Sequence, residues 1–189
     1  MQAFYALIDR LDRSQGDEKA ALERMLWDTF GVDACVLALD MSGFSRTVRA
    51  DGIIAYLAHI RRMQQVSTPI VVASGGEVVK YTADNLMAVF DSAVQAVNAA
   101  REIRQACLSM AEPLQVSIGM ANGRFLYVPH TDCFGDPVNV AFKLAEDVAA
   151  NGEILVTEDV LRLAPASVAH DAWLNADIAG LQLRFASVH

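Results

Sequence analysis

The sequence predicts an α+β domain built on a ferredoxin-like βαββαβ core. Three observations carry this. From Ala34 to Met120 the hydrophobic patterning reads strand, helix, strand, strand, helix, strand. A four-residue polar tip, Thr82-Ala83-Asp84-Asn85, separates two apolar runs as a hairpin does. No internal repeat or low-complexity linker interrupts the series. In this arrangement the first and third strands are central, antiparallel neighbours. The whole reads as an antiparallel sheet with extra C-terminal strands, in a domain over 31–189 preceded by a helical segment over 1–30.

Each element has its own signal. Phe4, Leu7, Ile8 and Leu11 recur at helical spacing until Gly16, and Leu22, Met25, Leu26 and Phe30 do so until Gly31. Together they predict a helical hairpin that packs on the main body or on a partner. Ala34 to Leu39 is a short apolar strand. Asp51 to about Val72 reads as one long helix with Ile53, Ile54, Leu57, Ile60 and Met63 on one side, broken by Ser74-Gly75-Gly76. Glu77 to Tyr81 and Leu86 to Phe90 form the hairpin strands. Ala93 to Met110 is an Ala-rich helix. Leu114 to Met120 is a strand, and Arg124 to Val128 a second one after an Asn122-Gly123 turn. Val138 to Ala150 is a helix, Ile154 to Val156 a short strand, and Leu181 to Val188 a last strand after a mixed stretch.

Composition limits the function. The chain has 189 residues, 53% of them hydrophobic, which excludes disorder and allows a real core. Fifteen Lys and Arg stand against 23 Asp and Glu, for a net charge of −8. Such a chain has no global field for nucleic acid or an anionic membrane, so any anionic ligand needs a local site or a metal. Three scattered cysteines, Cys35, Cys107 and Cys133, suit a reducing compartment and form no zinc motif. The charged start and the absence of an 18-residue apolar run point to a cytoplasmic domain.

The order of elements brings two acids together. Asp40 ends the first strand and Asp84 lies in the hairpin that opens the third. Antiparallel neighbours place the end of one beside the start of the other. Two carboxylates so placed repel unless protonated or bridged by cations. Mg²⁺ or Mn²⁺ prefers such oxygens and shares them with substrate phosphates. Met41-Ser42-Gly43-Phe44-Ser45-Arg46 follows, small residues leading to a helix start that suits an anion.

These pieces resemble a class III nucleotidyl cyclase catalytic domain. The resemblance rests on Leu39-Asp40-Met41-Ser42-Gly43-Phe44-Ser45, Gly75 to Lys80, Asp84 to Phe90, Ile118-Gly119-Met120, Phe134 to Ala141 and Gly152 to Val156, in family order. It implies an adenylate cyclase that converts ATP to cyclic AMP and pyrophosphate with two Mg²⁺ or Mn²⁺ ions, a cytoplasmic enzyme of signal transduction. It implies metal binding by Asp40 and Asp84, contacts to substrate from Gly43, Phe44 and Ser45, and reading of the base by Lys80 and Asp132. Asn139 and Lys143, four apart on one helix face, take the catalytic positions. The sites of the family form between two subunits, so a homodimer is implied, and an unidentified regulatory partner is compatible with it. Adenine offers an acceptor at N1 and a donor at N6, which match a lysine that only donates and an aspartate that only accepts.

The sequence also departs from the family. Lys143 stands where the family has Arg, and loses the planar fork of donors. Ala83 stands where Gly is frequent. The lysine for the terminal phosphates has no clear counterpart, with Arg184 a loose candidate. The rival readings are a cyclase that uses GTP or a pyrimidine triphosphate, a weakly active or non-catalytic nucleotide-binding signalling domain, and a dimerisation module without ligand.

Overall fold

In the computed structural model, residues 1–41, 44–164, 168–178 and 180–189 are described, without the side chains of 44–47 and 178. Two helices, α1 (Gln2–Asp12) and α2 (Gly16–Phe30), precede strand β1 (Gly31–Met41). Then come α3 (Phe44–Asp51), α4 (Ile53–Ala73), β2 (Glu77–Thr82), β3 (Asn85–Phe90) and α5 (Ala93–Leu108). They are followed by β4 (Val116–Val128), β5 (Asp132–Phe134), α6 (Asp136–Lys143) and a π-helical turn, Leu144–Val148. The chain closes with β6 (Ile154–Thr157), α7 (Glu158–Leu163), β7 (Leu174–Ile178) and β8 (Leu181–Ser187).

The strands form one sheet in the order β2-β3-β1-β4-β6-β8-β7, with β5 paired to β4. The first and third strands are antiparallel neighbours, Leu39 opposite Leu86 and Cys35 opposite Phe90. One pair departs from the expected antiparallel sheet: β6 runs parallel to β4. The connection passes through α6, and a helical crossover returns the chain in its original direction.

Helices α4, α5 and α7 cover one sheet face around Leu37, Leu39, Phe90, Ile103 and Ile118. On the other face α6 and β5 pack on Ala38, Met87, Ala121 and Phe125. Gly119 is why α6 lies so close: a Cβ there would fall 2.1 Å from the carbonyl oxygen of Ala141. The absence of a side chain lets the helix backbone rest on the strand. A third cluster joins Phe4 and Leu26 of the N-terminal hairpin to Val128 at the end of β4.

Several expected boundaries move. A separate short helix, α3, precedes the long helix across Gly52 at φ 86, and the long helix forms as α4, Ile53–Ala73, close to its expected bounds. Its predicted inner face is also rotated: Tyr56, Ile60, Met63 and Val71 are buried, whereas Ile53, Ile54 and Leu57 are exposed. The predicted turn at Asn122-Gly123 does not form. The pair lies in register opposite Cys35 and Ala34, and β4 runs through as one strand. The polar Asn122 is accounted for by its side chain, which donates to Asp33 at 3.2 Å. The helix expected to reach Ala150 leaves α-geometry after Lys143. Elements β5, α7 and β7 carried no signal long enough to read.

Candidate active site

Strand β1 delivers Asp40 opposite Ser117 of β4, one residue beyond the Leu39–Leu86 pair. The β2–β3 turn places Asp84 beside that strand end. Its tip holds Ala83 at φ 52, a left-handed conformation that costs alanine roughly 1 kcal/mol relative to glycine. The structure therefore brings Asp40 and Asp84 together, and the electrostatics reflect it. Burial, then the charge of Asp84, then that of Glu146 push the Asp40 carboxyl up to about 7. Two groups that the sequence reading missed complete this end. Tyr56, buried on α4, donates from Oη to Oδ2 of Asp84 at 2.7 Å. Glu146, on the π-helical turn, accepts from the amide of Asn85. Burial, and the neighbouring Asp147, raise the Glu146 carboxyl. Tyr56 carried one signal, a hydroxyl on an otherwise apolar helix face; Glu146 carried none, because its approach depends on the π-helical turn.

This donor set suits a divalent cation. Two carboxylates hold each other's charge in a half-buried place, which a cation would neutralise. Among the described residues no group of three or more His, Cys, Asp or Glu side chains is arranged as a metal site. The remaining ligands would come from phosphate oxygens and water, as is usual for Mg²⁺.

A second pair lies on the face that carries α6. Lys80 Nζ donates to Asp132 Oδ2 at 2.7 Å. The backbone N–H of Cys133 donates to the other oxygen, Oδ1, at 2.9 Å. Both partners are about one-third exposed, 35% and 27%. An ion pair of this exposure contributes about 1 kcal/mol or less, so a ligand can open it at small cost. On β5, Asp132 meets Lys80, while Cys133 is buried in the core with its thiol pushed up to about 12 by burial. Beneath this hairpin Phe134 stacks on Phe4 of α1 at 5.3 Å between ring centres. At the turn, His130 Nδ1 lies 3.0 Å from Glu77.

Helix α6 exposes Asn139 and leaves Lys143 half-buried, on its i, i+4 face. Lys143 Nζ donates to Asp147 at 2.9 Å, so its charge is directed along the helix. Replacing Lys143 by Arg supplies a second donor without deleting the charge. If the helix face serves a cyclase reaction, the expected result is a higher kcat with little change in KM for the nucleotide; an equal or lower kcat would place this side chain outside the reaction. Gly43 lies outside the described residues. Phe44 and Ser45 fall in the first turn of α3, but their side chains lie outside the description. Arg184 does not join the site: it is held by both oxygens of Glu158 at 3.0 Å and lies 5.0 Å from the ring of Trp173.

The split ferredoxin-like sheet with its flanking helices matches the fold of the adenylate/guanylate cyclase catalytic domains. Comparisons with known proteins agree: in fold and sequence the chain resembles the adenylate/guanylate cyclase catalytic domains. An adenylate/guanylate cyclase/hydrolase from Silicibacter pomeroyi superposes with a TM-score of 0.74 at 26% identity, over 84% of this chain and 96% of that one. The catalytic core of a rhodopsin-guanylyl cyclase with converted specificity, in complex with ATPαS, superposes at 0.75 and 18% identity, over 84% of this chain and 98% of that one. Among curated proteins, a Rhizobium meliloti protein named provisionally as adenylate cyclase 3 is 31% identical over 133 residues, 67% of this chain and 22% of that protein. An uncharacterised Mycobacterium tuberculosis protein is 30% identical over 162 residues, 85% of this chain and 42% of that one. The chain thus spans less than half the length of these curated relatives. No family model matches it. Among the described residues no helix is long and apolar enough to cross a membrane.

Proposed function

We propose that the chain is an adenylate cyclase domain that acts as a homodimer on ATP. The observation that carries this reading is the presence of two complementary half-sites on one chain: Asp40 with Asp84, and Lys80 with Asp132. In the proposed reaction the ribose 3′-hydroxyl releases its proton to solvent, its oxygen bonds to the α-phosphorus, and the bond from that phosphorus to the pyrophosphate oxygen breaks. Lys80 and Asp132 exchange their mutual contact for the edge of adenine, Lys80 donating to N1 and Asp132 accepting from N6. Guanine presents a donor at N1 and an acceptor at O6, so each group would face its own kind, and each buried mismatch costs about 1–3 kcal/mol. Asp40 and Asp84 of the other chain would hold two Mg²⁺ or Mn²⁺ ions. Ions held there would favour the ionised 3′-hydroxyl and offset phosphate charge. Asn139 and Lys143 face the charge that develops on the α-phosphate, with Lys143 released from Asp147.

The Lys143–Asp147 pair favours a second reading, a domain that binds nucleotide and signals with little turnover. One experiment separates the two. The chain is incubated with each of four nucleoside triphosphates and Mn²⁺, and products are identified by mass spectrometry. Cyclic AMP from ATP alone supports the cyclase reading. Cyclic GMP in comparable yield overturns the roles of Lys80 and Asp132, and no product with retained ATP binding supports the second reading.

A further inference from the structure

Tyr56 sits on α4, outside every segment that carries the cyclase resemblance, and it is 1% exposed. Its ring belongs to the core that also holds Leu39, Leu86 and Met63. A buried phenol needs a partner for its hydroxyl, and here the hydroxyl reaches out of the core to Asp84 Oδ2, 28 residues away, at 2.7 Å. Phenylalanine would fill the same space without that reach. Asp84 in turn lies between the left-handed Ala83 and Asn85, whose side-chain amide bonds Glu146. A carboxylate at such a position can rotate. The hydroxyl restrains this rotation by engaging one oxygen, Oδ2.

We infer that Tyr56 is a positioning residue that holds the Asp84 carboxylate by one oxygen and leaves the other for a divalent cation shared with Asp40. The inference rests on the metal role given above to these two aspartates. Partners that orient a ligand carboxylate are worth about 10–100-fold in metal affinity when removed. The hydroxyl acts on orientation and leaves the number of carboxylates unchanged, so Tyr56→Phe weakens binding where Asp84→Asn removes it. The hydroxyl bonds Asp84, whereas Lys80 and Asp132 bond each other, so discrimination between ATP and GTP is expected to stay as it is.

The test is Mn²⁺ binding to the full chain, alone and in the presence of a non-hydrolysable ATP analogue, followed by electron paramagnetic resonance of free Mn²⁺ and by the metal-induced rise in Tm. Wild type, Tyr56→Phe, Tyr56→Leu and Asp84→Asn are compared, each with a cooperative melting transition in the absence of metal; the leucine variant serves if the phenylalanine variant does not fold. The expected result is a Kd about 10–100-fold higher in the Tyr56 variants. In the assay, the Mn²⁺ concentration for half-maximal rate shifts by a similar factor while kcat at saturating Mn²⁺ stays within a few-fold. Wild-type affinity in a folded Tyr56 variant, together with lost binding in Asp84→Asn, overturns the role of Tyr56 and leaves the aspartate assignment standing. Failure of the wild type to bind Mn²⁺ both alone and in the presence of a non-hydrolysable ATP analogue overturns both.

Discussion

Asp40→Asn and Asp84→Asn should each lower turnover by about 10²-fold or more while making the metal-free domain more stable at neutral pH. The second half of this expectation follows from the sign of the electrostatics. The Asp40 carboxyl lies near 7 in the folded chain against 3.8 in the reference state, with burial the first cause and Asp84 the second. The folded state therefore favours the protonated acid. Its contribution is fully present below about pH 4 and is lost as pH rises to about 7. Metal-free wild type should thus melt higher at pH 5 than at pH 8, and Asp40→Asn should remove this part of the slope. Asp84→Asn should flatten it by removing one of the like charges. Mn²⁺ should reverse the order in the wild type by binding the folded state, with about 2.7 kcal/mol of stabilisation at one hundred times its Kd. The measurements are Tm across pH with and without Mn²⁺, and initial rates at saturating metal. A variant of either acid that keeps near wild-type turnover would end the assignment of these two residues.

Mixing two inactive chains should restore activity. If the aspartates of one protomer work with the Lys80 and Asp132 of its partner, Asp40→Ala and Lys80→Ala each inactivate their own homodimer. A mixed dimer regains one intact site, formed by Asp40 of the Lys80→Ala chain and Lys80 of the Asp40→Ala chain. Random two-fold assortment gives mixed dimers half the time, each with one of two sites intact, so about one quarter of wild-type activity should return. The check is activity against mixing ratio, with mixed dimers verified by tagged co-purification. No return of activity in verified mixed dimers would mean that each chain builds its site from its own residues, or that no such site operates.

The central sheet was legible because its determinants are local: apolar strands of the right length, and a polar tip whose register follows from pairing. The approach of Asp40 to Asp84 followed from strand order alone. Beyond β4, the helix at α6 and the strands β6 and β8 were legible, whereas β5, α7 and β7 were not. Strand β5 has three residues, too few for any alternation, and its presence depends on pairing Leu126–Val128. The Asn122-Gly123 pair has a turn composition, yet the ladder with β1 overrides it. The inner face of α4 was misread because Ile53, Ile54 and Leu57 form an apolar run that the packing leaves outside, while Tyr56 and Ser67 are taken in. Tyr56 and Glu146 were missed for the same reason: each reaches the site across a long sequence interval, and tertiary placement alone makes the connection.

The stack of Phe4 on Phe134 has a mechanical meaning. Phe134 ends the three-residue strand that begins at Asp132, so the α1–α2 hairpin touches the strand that carries Asp132. No loop lies between the hairpin and β5 at this point; the two meet ring on ring. Geometrically the first thirty residues are a lever whose short arm ends two residues from Asp132.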